Sequence, residues 1–415
     1  MKKILSIVLG ILFCVGCIFA ESDTQSQSNT MFNDTINREA EDFVTVSLLI
    51  SEPMKGILSP YGHTALRLQC STFDLDYVFH YVMLYYVDEY TQTATYLSSK
   101  FQIRMVADEF EMYVQDSENK ERGLKEYMLN LTPKQEQELW RILDEETQDH
   151  RILKRDFFVE DYKIKGCALL MADMIERVVG RSNFDYSDAN PFYHRPHYEI
   201  ISRQLQYVPW AHFGMITSMY GQTKLDYSEK LVVPSHLAEV WQETIINGKP
   251  FAEGEKLLTK QWHYTEDTYF TPMRIAIMLL LISLISLFLR REYLTYLILA
   301  VQVFMAIFVL SLDIFQLSTV RFSWLYIPFN ILPMICWKWR QYWALPYAVV
   351  LVIWCLVMVF VPHMLVDTTH IILTLAFAIV LLKQSNILQR LINKSVAQDT
   401  TKLSNRSLTK KEIKI

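Results

Sequence analysis

The stretch Lys165-Gly166-Cys167-Ala168-Leu169-Leu170-Met171 places a glycine and a cysteine at the opening of an apolar segment whose spacing decides the local fold. From Cys167 onward, apolar side chains recur at Leu170, Met171, Met174, Ile175, Val178 and Val179. Steps of i, i+3, i+4, i+7 and i+8 trace one face of an amphipathic helix. The spacing therefore predicts a helix with Cys167 in its first turn and Gly180 just past its end. A thiol there meets the positive end of the helix dipole, which favours thiolate. Unpaired N–H groups in the same turn are donors for an oxyanion formed beside the sulfur. The alternative is a packing role, because unpaired cysteine is among the most buried residue types.

The surrounding chain has 415 residues, enough for more than one domain, and a formal charge of −5 that does not point to nucleic acid. Its hydrophobic fraction of 51% collects at the N-terminus and after residue 271. At the start, Lys2 and Lys3 precede the apolar run Ile4 to Phe19 and then Ala20-Glu21-Ser22, the layout of a signal peptide or anchor over residues 1–20. Residues 21–42, rich in Ser, Thr, Gln, Asn and acids, read as a disordered linker. The domain beyond that linker is therefore exported. Outside the apolar segments only Cys70 and Cys167 remain, and in an exported protein the two are also candidates for a structural disulfide.

Residues 43–260 read as one α+β domain. Val44–Ile50, Thr64–Gln69 and Leu75–Val82 alternate as strands with turn residues between them. Thr132, Pro133 and Gln135 open a helix as cap, first helical position and capping-box partner, and that helix runs to about Glu146. Asn247-Gly248-Lys249-Pro250 marks a turn.

From Pro272 the character changes to five apolar runs, Met273–Leu289, Tyr293–Leu312, Phe322–Cys336, Trp343–Val361 and Thr368–Leu382. They predict an all-α five-helix transmembrane domain over 272–383, followed by a basic tail over 384–415. Arg290-Arg291, Lys338 with Arg340, and the tail follow runs one, three and five, so those ends belong in the cytoplasm and the large domain faces the periplasm. Asp313, His363, Asp367 and His370 fall near outer ends, and Asn330 and Pro333 interrupt the third run. Polar groups at membrane depth are functional candidates, although solvation at loop ends also accounts for Asp313 and Asp367.

The chemistry turns on Ser59-Pro60-Tyr61-Gly62-His63-Thr64-Ala65-Leu66-Arg67, which sets His63 at the start of a strand. His80 lies in the next strand, side by side with His63 if the two strands are antiparallel neighbours. A cysteine, a histidine and a polar orienter form an activated nucleophile: the imidazole takes the thiol proton and the third group fixes the ring. His194-Arg195-Pro196-His197 is a weak metal pattern, since a proline separates its histidines and further ligands are missing.

Gly62-His63-Thr64-Ala65-Leu66-Arg67, Glu121-Arg122 with Leu129-Asn130-Leu131-Thr132-Pro133, Asp156-Phe157-Phe158 leading to Cys167-Ala168, Val233-Pro234-Ser235-His236-Leu237 and Ile246-Asn247-Gly248-Lys249-Pro250, with the five runs, together resemble the Lnb family of Bacteroidetes lipoprotein N-acyltransferases. The His-before-Cys order is also similar to circularly permuted papain-like and NlpC/P60-like enzymes, which include acyltransferases working through a cysteine thioester. The resemblance implies Cys167 as nucleophile, His63 as base and His80 as orienter, with no cofactor and no metal. It implies a phospholipid acyl donor, a diacylglyceryl lipoprotein acceptor and a multi-pass inner-membrane protein with its catalytic domain in the periplasm. The same residues also suit a papain-like phospholipase or a cell-wall peptidase, and a Cys70–Cys167 disulfide would suit a non-enzymatic envelope protein.

Overall fold

The computed structural model describes residues 44–54, 59–83, 100–148, 153–156, 166–186, 195, 197–218, 231, 233–262, 269–289, 292–314, 327–329, 337–360 and 367–385. The signal segment, the 21–42 linker and nearly all of the basic tail lie outside them. The described residues fall into two compact units, 44–262 and 269–385.

The first unit is built on a seven-stranded antiparallel sheet. Its strands are β1 (Thr45–Ser51), β2 (His63–Cys70), β3 (Leu75–Met83), β4 (Lys100–Glu109), β5 (Leu124–Leu129), β6 (Leu153–Asp156) and β9 (Ala252–Leu257), in the order β6-β4-β3-β2-β1-β5-β9. A separate hairpin, β7 (Ile245–Ile246) and β8 (Lys249–Pro250), turns through Asn247 and Gly248, both at positive φ, as an Asn-Gly hairpin requires.

Alternation along the central strands gives the sheet two apolar faces. Leu48 and Ile50 of β1, Leu66 and Leu68 of β2 and Phe79 of β3 point into the main core. Leu49, Ala65 and Val78 point to the opposite face, where they meet Tyr113 of α1 (Phe110–Asn119). The main core is closed by α2 (Pro133–Gln148), α3 (Cys167–Val179) and α6 (Pro234–Glu243), which pack on the sheet, with α3 also packed on the other two. Two further helices, α4 (His197–Gln204) and α5 (Pro209–Ser218), precede α6.

Helix α2 starts with a reciprocal cap: Thr132 N–H donates to Gln135 Oε1 at 2.9 Å and Gln135 N–H donates back to Thr132 Oγ1 at 3.4 Å. Helix α3 buries Leu170, Met171, Met174 and Ile175 almost completely. At about 1.5–3 kcal/mol for each buried side chain of this size, that stripe anchors the helix to the sheet and fixes where its first residue lies. The helix stops at Gly180, whose φ of 95° suits glycine and whose N–H still donates to Glu176 O at 2.9 Å.

The second unit contains α7 (Pro272–Phe288), α8 (Tyr293–Ile314), α9 (Arg340–Phe360) and α10 (Thr368–Gln384), which coincide with four of the five apolar runs. The third run lies outside the described residues except for 327–329, a short 3-10 turn. By length and composition one described helix is able to cross a membrane, over Tyr293–Ser311; the apolar parts of the others are shorter. Some of their buried polar groups are paired within the unit. Buried Ser283 donates to Leu279 O at 2.8 Å, and Gln302 Nε2 donates to Pro328 O at 3.1 Å.

Candidate active site

The site begins at a turn that only glycine permits. Gly62 has φ 82°, and a Cβ on it would lie 2.6 Å from the Ser51 carbonyl oxygen of the neighbouring strand. The turn is braced from outside the sheet: Gln204 Nε2 donates to Tyr61 O at 3.1 Å, and Ser235 Oγ donates to Gln204 Oε1 at 2.8 Å. His63 comes next as the first residue of β2, paired with Ser51 on β1.

Antiparallel pairing of β2 with β3 sets His80 opposite Ala65, and pairing of β3 with β4 sets it opposite Val106. Asp108 is two residues beyond Val106 and therefore on the same face, diagonal to His80. The three side chains form a chain of contacts: His63 Nε2 to His80 Nδ1 at 3.2 Å, and His80 Nε2 to Asp108 Oδ2 at 2.9 Å. A carboxylate only accepts, so Nε2 of His80 carries hydrogen; in the tautomer with hydrogen on Nε2 alone, its Nδ1 accepts from Nε2 of His63. That assignment leaves Nδ1 of His63 with the lone pair a general base needs. Tyr113 closes the group, its ring edge-on to His80 at 5.1 Å and its hydroxyl 3.4 Å from Ser51 Oγ. Burial holds His63 well below its ordinary value of 6.5, with the neighbouring His80, Arg122 and Lys120 charges acting in the same direction. At neutral pH it is an uncharged acceptor.

Cys167 is the first residue of α3, after Gly166 in extended conformation. The helix packs on β2, and the sulfur lies beside Thr64, the residue after His63. Here the structure corrects the expectation of a thiolate. Burial pushes the Cys167 thiol up, against the opposing pull of the Thr64 and Ala168 N–H groups, the Arg122 guanidinium and the Thr64 hydroxyl. Desolvation outweighs the helix terminus. Burial therefore favours the neutral form of both the Cys167 thiol and the His63 imidazole. Consecutive strand residues point to opposite faces. Thr64 faces α3 and His63 faces α1, so the residue beside the Cys167 sulfur and the first histidine of the chain of contacts are consecutive on β2.

Cys70 and Cys167 are both free thiols. Cys70 ends β2, six residues past Thr64, about 20 Å along a strand. A disulfide needs Cα atoms within about 7 Å, so the Cys70–Cys167 bridge is excluded. Among the described residues no cluster of three metal-ligating side chains exists. His194 of the weak metal pattern lies outside the described residues, as do Asn330, Pro333 and His363. Asp367 is the N-cap of α10, accepting from His370 N–H at 3.0 Å, with the buried His370 ring also bonded to its carboxylate.

Spacing alone does not single out Asp108, Thr64, Arg122 or Tyr113. Asp108 becomes visible only once the β3–β4 register is known, and the other three only once α1 and α3 are docked on opposite faces of the sheet.

Residues 36–199 match the family model for the Lnb N-terminal periplasmic domain. Over this segment the chain is similar to the Lnb family. The Lnb match spans His63, His80, Asp108 and Cys167. No curated protein and no solved structure matches the chain. The chain thus carries a periplasmic Lnb domain ahead of apolar helices, one of them long enough to cross a membrane.

Proposed function

We propose that this chain is a membrane-bound lipoprotein N-acyltransferase working through an acyl-enzyme on Cys167. The observation that carries the reading is the His63–His80–Asp108 chain, ending one residue along β2 from the residue that walls Cys167, inside the segment matched to the Lnb family.

In the first half-reaction His63 takes the thiol proton as the sulfur attacks an ester carbonyl of a phospholipid. The tetrahedral oxyanion is held by N–H groups at the start of α3. Collapse breaks the ester C–O bond, His63 returns its proton to the departing alkoxide, and a lysophospholipid leaves a thioester behind. In the second half-reaction the α-amine of a diacylglyceryl-cysteine lipoprotein attacks the thioester. His63 accepts the amine proton and returns it to the leaving sulfur, which restores the thiol. Neutral reactants at rest suit this cycle, because no stable ion pair must be broken before attack.

The apolar helices belong to a multi-pass anchor in the inner membrane, which presents both lipid substrates to the periplasmic domain. A permuted papain-like arrangement accounts for the order of histidine before cysteine. Incubating the purified full-length protein with phospholipid and measuring its intact mass tests the reading. An acyl adduct on the Cys167 peptide, with lysophospholipid released and amide product formed when a diacylglyceryl lipopeptide is added, is expected. Free fatty acid without amide product would replace the transferase by a hydrolase.

A further inference from the structure

Thr64 is wholly buried, and among the described residues its Oγ1 has no hydrogen-bond partner of ordinary geometry. A buried hydroxyl left without a partner costs stability, and a valine of the same shape would avoid that cost. Alternation on β2 puts Thr64 on the face shared with Leu66 and Leu68, the face that α3 covers. The helix that Cys167 opens packs on β2, and the sulfur is the acceptor beside the orphaned Thr64 hydroxyl.

We propose that the Thr64 hydroxyl is a catalytic donor to the Cys167 sulfur, idle in the resting site and engaged when the thiol proton leaves. The inference rests on Cys167 being the nucleophile. A neutral thiol is a poor acceptor, which explains why the hydroxyl is unpartnered at rest. Once His63 holds the proton, the anionic sulfur accepts a charge-assisted O–H···S bond. No covalent bond to Thr64 changes: its hydrogen stays on Oγ1 throughout, and the thiol proton goes to His63. A donor that strengthens only as charge develops lowers the barrier without tightening the resting state. The Thr64 N–H approaches the same sulfur and leaves the thiolate with two donors from one residue.

The test is the pH dependence of Cys167 alkylation by iodoacetamide on the full-length protein in detergent, resolved by peptide mass spectrometry. Wild type is compared with Thr64→Val, Thr64→Ser and Thr64→Ala, with thermal unfolding as the check on folding. Thr64→Val is expected to raise the alkylation midpoint by about one pH unit and to slow acyl-enzyme formation about tenfold. Thr64→Ser is expected to stay close to wild type. If the valine variant folds poorly, the Ser–Ala difference isolates the hydroxyl, since both lack the methyl group. A midpoint unchanged in Thr64→Val, or equal in Ser and Ala, overturns the inference and makes Thr64 a packing residue. That outcome leaves the acyltransferase reading intact, which fails separately if Cys167→Ser retains acyl transfer.

Discussion

Asp108→Asn removes the charge at the far end of the relay while keeping its shape. The carboxylate reaches His63 through two contacts of 2.9 Å and 3.2 Å with the His80 ring between them. That places its charge about 8 Å from the base, where an effective dielectric near 20 gives roughly 2 kcal/mol of stabilisation for an imidazolium at His63. The Asp108 side chain is 30% exposed, so water screens part of this, and about 1 kcal/mol is a fair lower figure. Between these values the rate of acyl-enzyme formation falls about 5- to 30-fold. The asparagine Oδ1 still accepts from His80 Nε2, so the substitution isolates the loss of charge. The assay is acyl-enzyme formation by intact mass on full-length protein in phospholipid micelles, with thermal unfolding to confirm that the fold is kept. A rate equal to wild type would refute the relay. A loss as complete as that of Cys167→Ser, with the fold intact, would mean that Asp108 touches the reacting atoms directly.

The same geometry makes three other outcomes measurable. Gly62→Ala forces a Cβ to within 2.6 Å of Ser51 O at φ 82°, which costs about 2–4 kcal/mol and displaces His63; thermal unfolding and acyl transfer both report it. Arg122→Gln removes a cation that holds down both His63 and Cys167, so the acid limb of the rate profile and the Cys167 alkylation midpoint both move to higher pH. Glu136 on α2 is raised by burial to about 7, above its ordinary 4.5, so the unfolded chain releases that proton first and stability falls as pH rises from 4.5 through 7. Glu136→Gln should therefore add about 1–3 kcal/mol of unfolding free energy above pH 7, solvent screening included, and nothing near pH 4, read from denaturation at the two pH values.

The parts of the fold written in short-range pattern are legible in the sequence. The α3 stripe from Leu170 to Val179, the Thr132–Gln135 cap and the Asn247-Gly248 turn each depend on neighbours within a few residues, and each is seen where its spacing puts it. Strands β1, β2 and β3 are equally plain because one face of each is continuously apolar. Strand β4 alternates Phe101, Ile103, Met105 and Ala107 with Lys100, Gln102, Arg104 and Asp108, but that pattern does not fix its register on β3, so the role of Asp108 stays hidden until the sheet is assembled. The state of the thiol is illegible for a different reason. A helix start favours thiolate in isolation, but the burial that reverses it comes from elements distant in sequence, β2 and the helices that α3 packs on. The separation of the two cysteines along β2 likewise needs the helix docked before it can be measured.

The most direct measurement is the N-terminal acylation state of lipoproteins in cells lacking this gene, complemented with wild-type protein or with Cys167→Ser. Restoration of the N-acyl mass by wild type and its absence with Cys167→Ser is the predicted result. Equal restoration by both proteins would contradict the thioester on Cys167, and no change with either would remove lipoproteins as the acceptor.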